Sequence, residues 1–177
     1  TLEGCEYCFM EVSSHAVVQH RVAGITFAGG GFTNITHEHL DFHKTFKEYI
    51  KAKQGFFNLL PKGAFALSNK DDKNGVVMLQ ESAANKFYYA LKTQADFKTK
   101  VLESNFNGLS LKMDDQDFWS PFIGYFNAYN LTAVYGIAML LGQEKMEVLT
   151  VLSSLNAVAG RFQHLKIGGV TGIVDYA

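Results

Sequence analysis

The sequence predicts an α/β fold built on a mostly parallel sheet, with a small antiparallel sheet later in the chain. Three observations predict it. Short apolar runs at residues 7–12, 25–32 and 65–67 each end in polar residues. A stripe with helical spacing separates the second run from the third. Further on, the pattern changes to alternating strands around an Asn107-Gly108 turn. Strand, helix and strand in alternation is what a parallel sheet covered by helices requires.

Taken in order, residues 7–12 read as a buried strand that exits into Ser13-Ser14-His15. The run 25–32 carries Gly29, Gly30 and Gly31, which suits close backbone approach better than a phosphate cradle, since no Gly-Lys-Ser/Thr follows. Phe46, Tyr49, Ile50, Phe56, Phe57 and Leu60 fall on one helical face, and Pro61-Lys62-Gly63 stops that helix. The third run exits into Ser68-Asn69-Lys70-Asp71-Asp72, and residues 86–91 form a fourth strand. Residues 97–106 and 109–113 flank the hairpin turn, with Leu109, Leu111 and Met113 alternating with polar neighbours. Residues 126–141 then make a long apolar helix closed by Gly142, residues 144–155 a second helix, and 173–176 a last strand.

The chain has 177 residues, enough for one domain with a sizeable core. Its 16 Lys+Arg against 17 Asp+Glu leave a net charge of −1, which gives no footprint for nucleic acid and no polybasic membrane patch. No stretch approaches the ~20 apolar residues that span a bilayer, and no charged segment with a following apolar run opens the chain, so secretion is not expected. With Cys5 and Cys8 as the only cysteines, a disulfide framework is not expected and a cytoplasmic location is. The chain starts at Thr1 without Met and stops just past an apolar run, so it is expected to be a piece of a longer polypeptide.

Five of the six histidines lie between His15 and His43. Glu11, His39 and Asp41 sit at or after the ends of two expected strands, where a parallel sheet gathers them on one edge. A divalent cation beside phosphates needs only one or two protein carboxylates. Solvated loop histidines and a locally paired Glu11 fit the spacing as well. By spacing alone Lys53 is an exposed helical lysine. Arg161, next to Gly160, could reach a phosphate or lie on the surface. The Cys5-Glu6-Tyr7-Cys8 pair lacks zinc partners, and Asp72, Asn74, Gly75 and Glu81 fail as a calcium loop because Lys70 takes its first ligand position.

Several strings are more specific. Met10-Glu11-Val12-Ser13-Ser14-His15 runs on to Gln19-His20-Arg21, and Thr33-Asn34-Ile35-Thr36-His37-Glu38-His39-Leu40-Asp41 is followed by Tyr49-Ile50-Lys51-Ala52-Lys53. With Phe126-Asn127-Ala128-Tyr129-Asn130, Gly160-Arg161-Phe162 and Asp175-Tyr176-Ala177, the chain resembles the Mur ligase family over essentially its whole length. The resemblance implies a three-layer α/β/α central domain of the P-loop ATPase type. It also implies that the phosphate loop, an N-terminal UDP-sugar domain and a C-terminal domain lie outside these residues.

What the resemblance implies chemically is an ATP- and Mg2+-dependent ligase. ATP phosphorylates a carboxylate of UDP-N-acetylmuramoyl-dipeptide, and the amine of a diamino acid attacks the acyl phosphate. Glu11, His39 and Lys53 match magnesium-site positions, with His39 and Lys53 the implied catalytic residues and Lys53 the lysine that the family carbamylates. A carbamate would turn a cation into a hard anionic oxygen ligand. Ser14, Gln19 and Arg21 match substrate-contacting positions; Asn127, Asn130, Arg161 and Asp175 match nucleotide-contacting ones. Glu38, Gly31 and Gln163 depart from the family's usual residues. The segment alone is expected to be inactive. The rival readings are a folylpolyglutamate- or cyanophycin-type ligase on the same domain, and a non-catalytic metal-binding or scaffold module with Lys53 exposed and remote from Glu11.

Overall fold

A computed structural model describes residues 4–35, 45–156, 160 and 162–176. Six strands form one mixed sheet in the order β1-β2-β3-β4-β5-β6. The strands are β1 (Gly29–Phe32), β2 (Phe65–Asn69), β3 (Asn85–Ala90), β4 (Phe97–Asn105), β5 (Gly108–Met113) and β6 (Gln116–Ser120). The first four pair in parallel and the last two add antiparallel to β4. The antiparallel part thus continues the parallel sheet. A separate ribbon pairs β7 (Gln163–Ile167) with β8 (Val170–Val174).

The helices are α1 (Ser14–Val18), α2 (Phe46–Asn58), α3 (Gly75–Met78), α4 (Tyr125–Leu140) and α5 (Lys145–Ser154). Neighbouring residues of β2 show the layering. Ala66 packs with Phe56, Phe57 and Leu60 around α2, while Leu67 packs with Tyr89 and Ala133 on the α4 side. Successive strand residues face opposite sides, so the sheet lies between two helical layers. The expected glycine run has a steric reason. A Cβ on Gly30 would stand 2.5 Å from the Phe56 ring, so only glycine lets α2 sit this close to β1.

Helix α2 starts where Thr45 accepts from the Glu48 N–H at 3.3 Å and ends before Pro61, as its stripe predicts. Helix α4 ends at Leu141 and Gly142, the latter at φ 77°. Two expectations need correction. Residues 7–12 are not a strand, and Tyr7, Phe9 and Met10 are exposed, because β1 has no described strand on its outer side to supply a ladder partner. The second run forms a strand only over its last four residues. Sequence reasoning also missed β6, which follows a two-residue turn at Asp114 (φ 43°) and Asp115 (φ 63°), and it missed the short helices α1 and α3 and the strand β7. Among the described residues no helix is long and apolar enough to cross a membrane.

Candidate active site

The parallel strands β1, β2 and β3 end on one edge, where Thr33, the turn at residues 69–72 and residues 91–93 come together. This is the edge on which an open α/β sheet places its ligands.

Lys53 lies on α2 one turn after Tyr49, so the two share a helix face. Its Nζ sits 5.4 Å from the centre of the Tyr49 ring, a cation–π distance. The side chain is not the solvated lysine that spacing alone suggested. Burial pulls the Lys53 ammonium below its ordinary pKa, and the carboxylate of Glu11 acts in the opposite sense. Glu11 and Lys53 therefore face each other electrostatically, although 42 positions separate them in the sequence. This geometry does not match a scaffold module with an exposed, isolated Lys53.

Helix α1 begins three residues after Glu11 and packs on α2. The Ser13 hydroxyl caps it, accepting from the Ala16 N–H at 3.1 Å. A Cβ on Gly55 would stand 3.1 Å from Val17, so the glycine allows the close contact. Ser14 is buried at the start of α1, whereas Gln19, its C-cap, and Arg21 face solvent.

A second feature is a cavity of about 460 Å3 between α4 and the chain's last segments. Asn127, Asn130 and Asp175 all line it, together with Phe126, Leu155 and Phe162. Phe126 and Phe162 meet edge to face at 4.9 Å. Phe162 holds a left-handed backbone (φ 48°), and its N–H donates to the Asp175 carboxylate at 3.2 Å. Asn127 is buried, and both ends of its amide are engaged. Its Nδ2 donates to the Ile123 carbonyl at 2.8 Å, and its Oδ1 accepts from Asn130 Nδ2 at 3.1 Å. Asn130 is the exposed member, and it lines the cavity beside Asn127.

The structure thus puts Lys53 within electrostatic range of Glu11, and lines one cavity with Asn127, Asn130 and Asp175. His39, Asp41 and Arg161 lie outside the described residues. Among the described residues no cluster of three or more His, Cys, Asp or Glu side chains could hold a metal. Sequence reasoning missed Tyr49 beneath Lys53 and the aromatic walls Phe126 and Phe162. Their signals were present: a tyrosine four residues before the lysine, and a phenylalanine next to Asn127 and another next to Arg161.

An α/β domain with a half-buried amine under the influence of a carboxylate, and an amide-lined cavity beside a helix, has the features of a ligand-binding domain. The chain matches the Mur ligase middle domain over residues 1–138 and belongs to that family. It is 55% identical over 175 residues to the UDP-N-acetylmuramoyl-L-alanyl-D-glutamate–2,6-diaminopimelate ligase of Parabacteroides distasonis, covering 98% of this chain and 36% of that protein. The ligase of the same name from Phocaeicola vulgatus is 56% identical over 176 residues, again with 36% of its length covered. A solved structure of such a ligase superposes with a TM-score of 0.80 at 25% identity, covering 94% of this chain and 36% of that one. The chain therefore spans about a third of the length of the relatives it matches.

Proposed function

We propose that this chain is the nucleotide- and metal-binding middle domain of a cytoplasmic ligase that joins 2,6-diaminopimelate to UDP-N-acetylmuramoyl-L-Ala-D-Glu. The observation that carries this reading is the half-buried Lys53 amine facing Glu11. The names of the relatives favour diaminopimelate over lysine as the acceptor, and a folylpolyglutamate- or cyanophycin-type activity is not favoured. We propose that the UDP-sugar domain, the phosphate loop and the acceptor domain lie in the part of the whole ligase that this chain does not cover.

In the reaction a substrate carboxylate takes the γ-phosphoryl group of ATP, and ADP leaves. The diamino acid's amine then attacks the acyl phosphate, forming the amide and releasing phosphate. The first step brings two anions together, so catalysis depends on neutralising their charge. Magnesium supplies that neutralisation when bound. One described carboxylate, Glu11, suits a cation that keeps several waters and shares substrate phosphates. Lys53 fits the site only once it has lost its positive charge. Burial favours the neutral amine, the form that adds carbon dioxide, and the resulting carbamate would carry anionic oxygens toward Glu11's cation. His39 is proposed as a further ligand.

On the nucleotide side, Asn130 offers amide groups that can both donate to and accept from a purine edge. Asn127 fixes its orientation. Asp175 holds the backbone of Phe162 and so shapes the cavity's aromatic wall. Arg161 is proposed to face the phosphates, and Ser14, Gln19 and Arg21 the muramoyl-peptide.

The test is ADP release by the whole ligase. Turnover should require ATP, Mg2+, UDP-N-acetylmuramoyl-L-Ala-D-Glu and diaminopimelate together, with lysine a poor substitute. Turnover with a folate or a simple peptide in place of the UDP-sugar would overturn the reading.

A further inference from the structure

The turn after β2 bonds to three other parts of the molecule: the exit of β1, the exit of β3 and helix α4. Asn69 Nδ2 donates to the Thr33 carbonyl at 3.0 Å, and Asp72 accepts from the Ile35 N–H at 3.4 Å, which fixes the exit of β1. Between them, Asp71 accepts from the backbone N–H groups of Leu91 and Lys92 at 2.8 Å each and of Thr93 at 2.9 Å. It also accepts from the Tyr129 hydroxyl at 3.0 Å. Tyr129 lies on α4 between Asn127 and Asn130.

We propose that Asp71 is a positioning residue for nucleotide binding, which through Tyr129 sets the seat of Asn127 and Asn130 against the ligand-binding edge of the sheet. The inference rests on the nucleotide reading of the cavity. Its basis is geometric. Three convergent N–H groups make a nest for an anion, and Asp71 fills it from within the protein. The carboxylate is thereby fixed at the exit of β3, and its remaining acceptor capacity holds α4 at Tyr129. Burial opposes ionisation of Asp71, but the N–H groups of Lys92, Thr93 and Leu91 more than offset it and keep the carboxyl well below the usual range. The link is therefore a charge-assisted hydrogen bond at working pH. Helix α4 also packs on the core through Leu131 and bonds through Thr132 to Thr99 and through Tyr135 to Asp114; of these contacts, the Asp71–Tyr129 bond is the one that ties the helix to the strand-exit edge.

The experiment uses the whole ligase that contains this chain. Tyr129→Phe removes only the hydroxyl and should raise the KM for ATP about three- to tenfold, with kcat and the KM for diaminopimelate little changed. Asp71→Asn should raise it further. Thr132→Val, which weakens the same helix from inside the core, is the control for a purely structural role. It should lower the melting temperature without moving the KM for ATP. If Tyr129→Phe lowers the melting temperature but leaves the KM for ATP unchanged while Asn130→Ala raises it, the positioning role falls and the nucleotide reading stands. If neither Tyr129→Phe nor Asn130→Ala moves that KM, the nucleotide reading falls and takes this inference with it.

Discussion

Asn127 and Asn130 sit one turn apart on α4 and look equivalent in sequence, yet the structure gives them opposite duties. Replacing Asn127 by alanine removes the 2.8 Å bond to the Ile123 carbonyl and the acceptor for Asn130. Ile123 is only 3% exposed, so its carbonyl loses a partner away from water. A stranded buried acceptor costs about 1–3 kcal/mol. For a domain of this size each kcal/mol moves the melting temperature by roughly 2–4 °C. The expected loss is therefore about 2 kcal/mol, or roughly 4–8 °C. Asn130 is exposed, so Asn130→Ala should cost no more than about 0.5 kcal/mol. Nucleotide affinity should respond to both variants, through contact in Asn130 and through orientation in Asn127. Thermal melts and isothermal titration with a non-hydrolysable ATP analogue, on the whole ligase, check both halves. Equal melting temperatures for the two variants would refute this division of roles.

Four further outcomes follow from other parts of the structure. Lys53→Met and Lys53→Arg should both abolish ligation, because neither side chain forms a carbamate. Mass spectrometry in bicarbonate should find the modification on wild type only when magnesium is present, and equal modification without metal contradicts the proposed link. Asp71 is held in its charged form, so its stabilisation is present above the ordinary carboxylate pKa of about 3.9 and is lost as pH falls toward its lowered folded value. The gap in melting temperature between wild type and Asp71→Asn should thus be full at neutral pH and close on acidification; a constant gap contradicts it. Thr132 and Thr99 share a 2.7 Å hydroxyl contact in the core. Thr132→Val should cost about 1–3 kcal/mol by stranding the Thr99 hydroxyl, while Thr99→Val with Thr132→Val should recover part of that loss in urea melts.

What was legible in the sequence was local or periodic. The stripe of α2 and the punctuation at Thr45 and Pro61 set that helix, and the alternation of Leu109, Leu111 and Met113 placed β5. The run 7–12 misled for a physical reason. Apolar residues signal a need for cover, but they do not supply the neighbouring strand. Long-range polar contacts were invisible for the same kind of reason. Asp71 meets partners 20 to 22 and 58 positions away, and no spacing rule connects an aspartate after one strand to a tyrosine on a distant helix. Of the site, the strings around Glu11, Lys53 and Asn127 were readable through family resemblance. That Lys53 is withdrawn from solvent, and that Asn127 serves Asn130, needed coordinates.

The proposed function depends on a divalent cation that Glu11 and carbamylated Lys53 would hold together. Anomalous diffraction from crystals of the whole ligase grown with Mn2+, bicarbonate and nucleotide tests it most directly. The expected result is a manganese peak bonded to a Glu11 carboxylate oxygen, with carbamate density on Lys53 facing the same ion. A peak bound elsewhere, with Lys53 an unmodified ammonium, would contradict it.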